Sequence, residues 1–205
     1  MLSRKFYTRD TVEIAKELLS KVLVHHSREG VTKGMIVETE AYYGELDPGS
    51  HAYRGKRTKR NEVMWGPPGY AYVYFTYGMH YMLNVVTGNE GEARAVLIRA
   101  VEPLEGIELM LKRRGISKDD LINLTNGPAK VTQAFGIDRQ HNGVDMVNSN
   151  LMIVNDVETA PPDRFRIVST PRIGIKNDPG DKLRFYIAGN KFVSKVRDVP
   201  YSHSV

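Results

Sequence analysis

Val37-Glu38-Thr39-Glu40-Ala41-Tyr42-Tyr43-Gly44 is the stretch on which the reading of this 205-residue chain turns. Its alternation is that of a strand, with Glu38, Glu40 and Tyr42 on one face and Val37, Thr39, Ala41 and Tyr43 on the other. One face is therefore acidic with an aromatic end. The stretch closes a strand pattern running from Gly34 to Tyr43, preceded by another over Val22 to His26. A tyrosine-rich pattern from Tyr70 to Thr76 can pair with Tyr81 to Thr87 across Tyr77-Gly78-Met79-His80. That predicts a β-hairpin with an exposed tyrosine near its tip.

Helix signals fall between the strands. Asp10-Thr11-Val12-Glu13 has the form of a capping box, and Val12, Ala15, Leu18, Leu19 and Val22 recur at helical spacing, predicting a helix from about Asp10 to Ser20. Glu102-Pro103-Leu104-Glu105 is expected to open a helix that Gly115 ends, and Asn126-Gly127-Pro128-Ala129-Lys130 a shorter one that stops near Gly136. Residues 151–155, 165–170, 183–188 and 191–195 read as further short strands. The expected fold is α+β: a single-domain mixed fold over residues 1–205, with a curved, mainly antiparallel β-sheet flanked by helices and a protruding hairpin.

An apolar share of 41% and a charged share of 26% are those of an ordinary globular protein, with length enough for a substantial core. The absence of cysteine excludes a disulfide framework, a thiolate nucleophile and cysteine-ligated zinc, and fits a reducing compartment. Residues 1–10 lack the apolar centre of a secretory signal, and no run approaches the roughly 18 apolar residues of a membrane helix. The expectation is a soluble intracellular protein, cytoplasmic and nucleoid-associated or nuclear, with no membrane contact.

A formal charge of +5 points modestly to a polyanionic partner. Its distribution says more. Arg54, Lys56, Arg57, Lys59 and Arg60 crowd into seven residues between the acidic strand and the tyrosine run. Such a cluster can neutralise several phosphates, although a solvated basic loop is the rival reading.

Two carboxylates on a strand are often simply solvated. Glu40 is nearer the strand end and beside Tyr42, where a carboxylate could activate a water or face an oxocarbenium-like sugar. Tyr70, Tyr72 and Tyr74 share a face, and tyrosine rings stack on bases as readily as they pack in cores. Tyr70 and Tyr72 are read as packing in the core or directly behind the site residues. Tyr77, beside Gly78 and Met79 at the hairpin tip, suits an apolar wedge pushed between base pairs. The adjacent His25 and His26 should point to opposite faces, as a surface pair rather than a metal site.

Taken together, Glu38-Thr39-Glu40-Ala41-Tyr42, His51, Arg60-Asn61, Tyr72-Val73-Tyr74, Tyr77-Gly78-Met79, Asn84 and the run from Leu97 to Gly106 resemble the alkyladenine (3-methylpurine) DNA glycosylase family. The similarity continues through Asn126 to Lys130, Arg172-Ile173-Gly174-Ile175 and Leu183-Arg184-Phe185-Tyr186, nearly the whole chain. Many blocks in one order are far more specific than any single motif.

The resemblance implies a base-excision-repair enzyme acting on double-stranded DNA that contains damaged purines. Glu40 matches the general base that activates the attacking water, Arg99 an arginine that helps hold that water, and the backbone carbonyl of Ile173 a further contact to it. Tyr42 on one side, with His51 and Tyr74 on the other, would sandwich the flipped base, and Asn84 would clash with the 2-amino group of normal guanine. Tyr77 would fill the vacated place in the duplex. Met79 and His80 lie in the DNA-facing hairpin, and Arg57, Arg60 and Lys130 are expected at the DNA. Glu38 is expected in a supporting role. No lysine stands in the family's catalytic position, which implies a monofunctional glycosylase without lyase activity, without cofactor or metal, and by default a monomer. A noncatalytic nucleic-acid-binding module and an RNA-directed nucleoside hydrolase remain as alternatives that could use the same residues.

Overall fold

A computed structural model describes residues 1–155, 165–175 and 178–194. The acidic stretch lies in β2 (Gly30–Tyr42), a 13-residue strand at the centre of an antiparallel sheet. One edge of β2 pairs along most of its length with β5 (Arg94–Glu105). The other edge is divided between β1 (Val22–Ser27), which takes Gly30–Met35, and β8 (Arg184–Ile187), which takes Glu38–Glu40. The hairpin of β3 (Ala71–Thr76) and β4 (His80–Thr87) adds beyond β5, while β6 (Leu151–Val154) and β7 (Ile167–Thr170) pair with β1 and β8. Among the described residues the sheet has eight strands and every pairing is antiparallel.

Helix α1 (Arg4–Tyr7) leads into α2 (Thr11–Glu17), whose N-cap is Asp10; its carboxylate accepts the backbone N–H groups of Val12 and Glu13 at 2.9 and 3.1 Å. A cap of this kind contributes about 1 kcal/mol. Ile14, Leu18 and Leu19 of this segment share one core with Ile36 and Val37 of β2, Leu83 and Val85 of β4, Ile98 of β5 and Phe185 of β8. Each such side chain, fully buried, contributes about 1.5–3 kcal/mol by transfer from water. The hydroxyl of Thr39 ties β2 to α2 by donating to the Ala15 carbonyl at 2.8 Å. A smaller cluster of Ala52, Met64, Tyr72, Val86, Ala93 and Ala95 lies apart from this core.

The expected helix start at Glu102 is corrected. Glu102, Pro103 and Glu105 are strand residues of β5 paired with Met35, Gly34 and Lys33, and Leu104 is bulged out. Proline is tolerated because the β4 pairing ends at Leu97, leaving that edge of β5 without a partner that needs its N–H. Helix α3 (Ile107–Arg114) starts only after Gly106, whose φ of 76° suits glycine and whose approach to the Val31 carbonyl leaves no room for a Cβ. Gly115 and Gly136 end α3 and α4 (Pro128–Phe135) in the left-handed conformation, as expected. Residues 191–194 form a turn rather than a strand, and residue 195 lies outside the described residues.

The histidine pair is also corrected. His26 is exposed but His25 is buried, its Nδ1 2.7 Å from the Phe135 carbonyl and its Nε2 3.2 Å from Nε2 of His141. Opposite faces of one strand thus separate two neighbours completely.

Candidate active site

Glu38 and Glu40 project from β2 and both are fully buried, which rejects the reading of two solvated carboxylates. A buried carboxylate persists only where donors replace water. Glu40 has three: Oε1 accepts from the Ile173 backbone N–H at 2.9 Å and lies 3.1 Å from Nη1 of Arg99, and Oε2 accepts from the Tyr42 hydroxyl at 2.7 Å. Glu38 accepts from Nε of Arg99 (3.1 Å), Nε of Arg184 (2.6 Å), and both the hydroxyl and the backbone N–H of Ser194 (2.7 Å each). Two carboxylates and two guanidiniums balance each other below the surface. Burial works against the Arg99 charge, but Glu40 and Glu38 outweigh it and hold that guanidinium's pKa above the ordinary arginine value.

Strand irregularity places Arg99 between the two acids. Ile36 pairs with Val101, Glu38 with Ala100 and Thr39 with Ile98, so Val37 is an extra residue on β2 and Arg99 an extra residue on β5. These compensating bulges leave Arg99 without a direct partner, and its side chain reaches Glu38 through Nε and Glu40 through Nη1. Sequence alternation brought the acids to one face but did not show the bulges.

Beside this network is a recess of about 350 Å³, counting the open space at its mouth, lined by Tyr42, His51, Met64, Tyr72, Tyr74 and Asn84 among others. Its His51 and Tyr74 rings meet edge to face, 4.5 Å between centroids. Nδ1 of His51 lies 2.8 Å from the Tyr72 hydroxyl, and the Asn84 amide donates to the Tyr72 carbonyl across the β3–β4 ladder. Tyr72, expected in the core or directly behind the site residues, is buried and backs His51, and it also forms part of the recess wall. Its shared face with Tyr74 was the available signal. Burial, reinforced by Arg60 and Lys56, depresses the His51 pKa to about 4, so the ring is neutral near pH 7. Burial and the nearby Glu40 charge push the Tyr42 phenol well above its ordinary value, keeping the proton it donates to Glu40.

Asn61, whose fixing role the sequence did not reveal, holds the basic loop in place. Its amide donates to the carbonyls of His51 and Lys56, at 2.9 and 2.7 Å, and its oxygen accepts from the Thr58 N–H at 2.7 Å. His51 is thereby positioned from the loop side.

The hairpin tip is different in kind. Tyr77 is 80% exposed at φ 52°, followed by Gly78 at φ 70° and by Met79, 70% exposed. Tyr77 and Gly78 are the central pair of a turn closed by the Met79 N–H to the Thr76 carbonyl at 3.3 Å, and such hairpin turns require positive φ at both, which costs a non-glycine side chain strain at Tyr77. His80 pairs with Thr76 at the base of the turn. Arg60 lies over the Tyr74 ring and donates to the Phe75 carbonyl at 3.1 Å, linking basic loop, recess and hairpin. Arg57 instead pairs with Glu62 and covers Trp65, and Lys130 donates to Asn126 at 2.6 Å beside the start of α4; neither lines the recess. The structure therefore brings Glu40, Arg99, Ile173, Tyr42, His51, Tyr74 and Asn84 together, puts Tyr77, Met79 and His80 at the hairpin turn, and does not join Arg57 or Lys130 to the recess. At Ile173 the bond to Glu40 is made by the N–H; the expectation had concerned the carbonyl. Among the described residues no cluster of three or more His, Asp or Glu side chains is placed to hold a metal.

A family model described as methylpurine-DNA glycosylase matches residues 5–191. A Clostridium acetobutylicum protein named "Putative 3-methyladenine DNA glycosylase" is 49% identical over 205 residues, covering 96% of this chain and 98% of that one. Proteins of the same name from Carboxydothermus hydrogenoformans and Methanoculleus marisnigri are 50% and 47% identical, with 95% of this chain covered in each case and 99% and 98% of theirs.

Proposed function

The chain belongs to the methylpurine-DNA glycosylase family, and from that premise we propose that it flips a damaged purine out of duplex DNA into the Tyr42–Tyr74 recess and hydrolyses its N-glycosidic bond. The observation that carries this reading is the double role of Tyr42. One ring forms a wall of the recess while its hydroxyl holds Oε2 of Glu40, so the site that takes a base is joined directly to the carboxylate.

A base inside a duplex shields its sugar carbon, and extrusion costs a few kcal/mol; glycosylases are a standard example of enzymes that meet this cost. Tyr77 and Met79 enter the gap left behind. Tyr42 on one side, and Tyr74 with His51 on the other, enclose the purine, and cationic 3-methyladenine or 7-methylguanine gains from the electron-rich faces. Hypoxanthine and ethenoadenine are the neutral candidates. Asn84 rejects the 2-amino group of guanine. Glu40 takes a proton from a water as that oxygen bonds to C1′, the C1′–N bond breaks, and the purine leaves with the bonding electrons. Arg99 and the Ile173 backbone keep the carboxylate oriented, and its charge faces the cationic sugar as it develops. The product is an intact abasic site. The reaction is monofunctional, without strand cleavage, since no lysine stands in the family's catalytic position and water is the nucleophile. No described helix is long and apolar enough to cross a membrane.

Duplexes carrying 3-methyladenine, 7-methylguanine, hypoxanthine or ethenoadenine, treated with alkali after incubation, report abasic sites directly. Glu40→Gln should lower excision by about a thousandfold, within the range for a lost general base, while lesion-DNA binding persists. Normal turnover by that variant would reject the mechanism, and binding without excision by the wild type would favour a noncatalytic module.

A further inference from the structure

Two tyrosine walls of the recess each carry a guanidinium, and the two guanidiniums differ in electrostatic setting. Cζ of Arg172 lies 4.7 Å from the Tyr42 ring centroid, and Cζ of Arg60 lies 5.1 Å from that of Tyr74. Arg172 is buried and saturated by acids: it is bidentate to Asp47 at 2.6 and 2.7 Å and donates to Asp178 at 2.9 Å. Two carboxylates on one guanidinium leave that cluster negative. Arg60 is exposed, donates to a neutral carbonyl, and among the described residues has no acidic side chain paired with it.

The face that Arg60 occupies follows from the two hollows meeting at Tyr74. Tyr74 lines the base recess and also the adjoining groove, whereas Arg60 lines the groove with Lys59 and Arg139 and does not line the recess. Its guanidinium therefore covers the outer face of the ring and leaves the inner face for a base. Its field passes through the wall: after burial, Arg60 is the next cause depressing His51, and it opposes the rise of the Tyr74 phenol to about 12.

We propose that Arg60 determines lesion preference, disfavouring cationic purines stacked on the inner face of Tyr74 while leaving neutral ones unpenalised. This rests on the reading of the recess as the base pocket. A ring face attracts one cation well, but a second on the opposite face meets a ring already polarised and a like charge about 8–9 Å away. Across a partly solvated wall, that repulsion corresponds to about threefold to tenfold in rate. The compensated Arg172 imposes no comparable penalty at Tyr42.

A purely phosphate-binding Arg60 would make a different prediction, since loss of a backbone contact slows every lesion alike. Single-turnover excision of 7-methylguanine, hypoxanthine and ethenoadenine in one duplex sequence at fixed salt separates the two. Arg60→Met should raise the ratio of cationic to neutral excision by about threefold to tenfold, whatever the absolute rates, and Arg60→Lys should shift it less. An equal fall for all lesions would overturn the proposal and leave Arg60 as a DNA-backbone contact. A wild type that excises 7-methylguanine but neither neutral lesion would also overturn it while the excision mechanism stands. Excision of 3-methyladenine but of none of the three would likewise overturn the proposal alone, and excision of none of the four would bring down the base-pocket reading as well.

Discussion

The buried charge network beside the recess and the tip of the β3–β4 hairpin belong to one sheet and are built on opposite terms. In the network, Glu40 has three donors, Glu38 has four, and the acids are fully buried. At the tip, Tyr77 is 80% exposed and held in a conformation that disfavours its side chain. Under the proposed function the difference is a division of labour: a charge that acts on a sugar carbon gains from being fixed in advance, whereas a group that enters another molecule has to stand outside its own.

If the sheet here depends on its charge network, removing one member should damage both fold and rate. Glu38→Gln leaves Arg184 without a carboxylate partner and Arg99 with Glu40 alone, and should cost about 3–5 kcal/mol of stability in a urea titration, with excision reduced in parallel. An unchanged midpoint would mean that the network does not hold this part of the sheet.

The tip should behave in reverse. Tyr77→Asn relieves left-handed strain of about 1–2 kcal/mol, so the melting temperature should stay level or rise slightly. Excision from duplex DNA should nevertheless fall about tenfold to a hundredfold, as expected when a wedge offsetting 1–3 kcal/mol of extrusion is lost. Single-stranded substrate should show no comparable fall. Loss of stability in this variant would erase the contrast with Glu38.

A smaller effect lies at the His51 wall between the two regions. Its folded pKa is about 4 against an ordinary 6.5, so the unfolded chain binds more protons in that interval. The stabilising contribution is complete above about pH 6.5 and is lost as pH falls through about 4. His51→Gln should flatten this part of a plot of melting temperature against pH, and an unaltered slope would assign the acid sensitivity to other groups such as His25, which burial also depresses.

Local signals were legible in proportion to how little they depended on distant partners. The Asp10 cap, the Gly115 and Gly136 stops and the hairpin around Tyr77-Gly78 are decided within a few residues, and each was readable. Glu102 to Glu105 looked like a helix start because proline and acids favour a first turn; pairing with Lys33 to Met35 decided otherwise. Within the site, the family resemblance led to Glu40, Tyr42, His51 and Tyr74. The recess role of Tyr72 was missed because period alone cannot tell a core tyrosine from a wall. Ser194 beneath Glu38, and Asp47 and Asp178 around Arg172, were missed because those contacts join residues far apart or through loops that carry no periodic pattern.

The paired bulges at Val37 and Arg99 also bear on how this sequence can change length. Because the two irregularities cancel, the offset between β2 and β5 is the same at Ile36 and at Thr39, and the disturbance is confined to the turn of sheet that holds the acids. Loss of one extra residue alone would slide the rest of the ladder by one place, turning Glu40 and Tyr42 away from the recess together. Substitutions here can be tested one at a time by chance mutation, but shortening has to occur in both strands at once. The placement of the acids is thus guarded by a counting rule between two segments some sixty residues apart, independent of which side chains they carry.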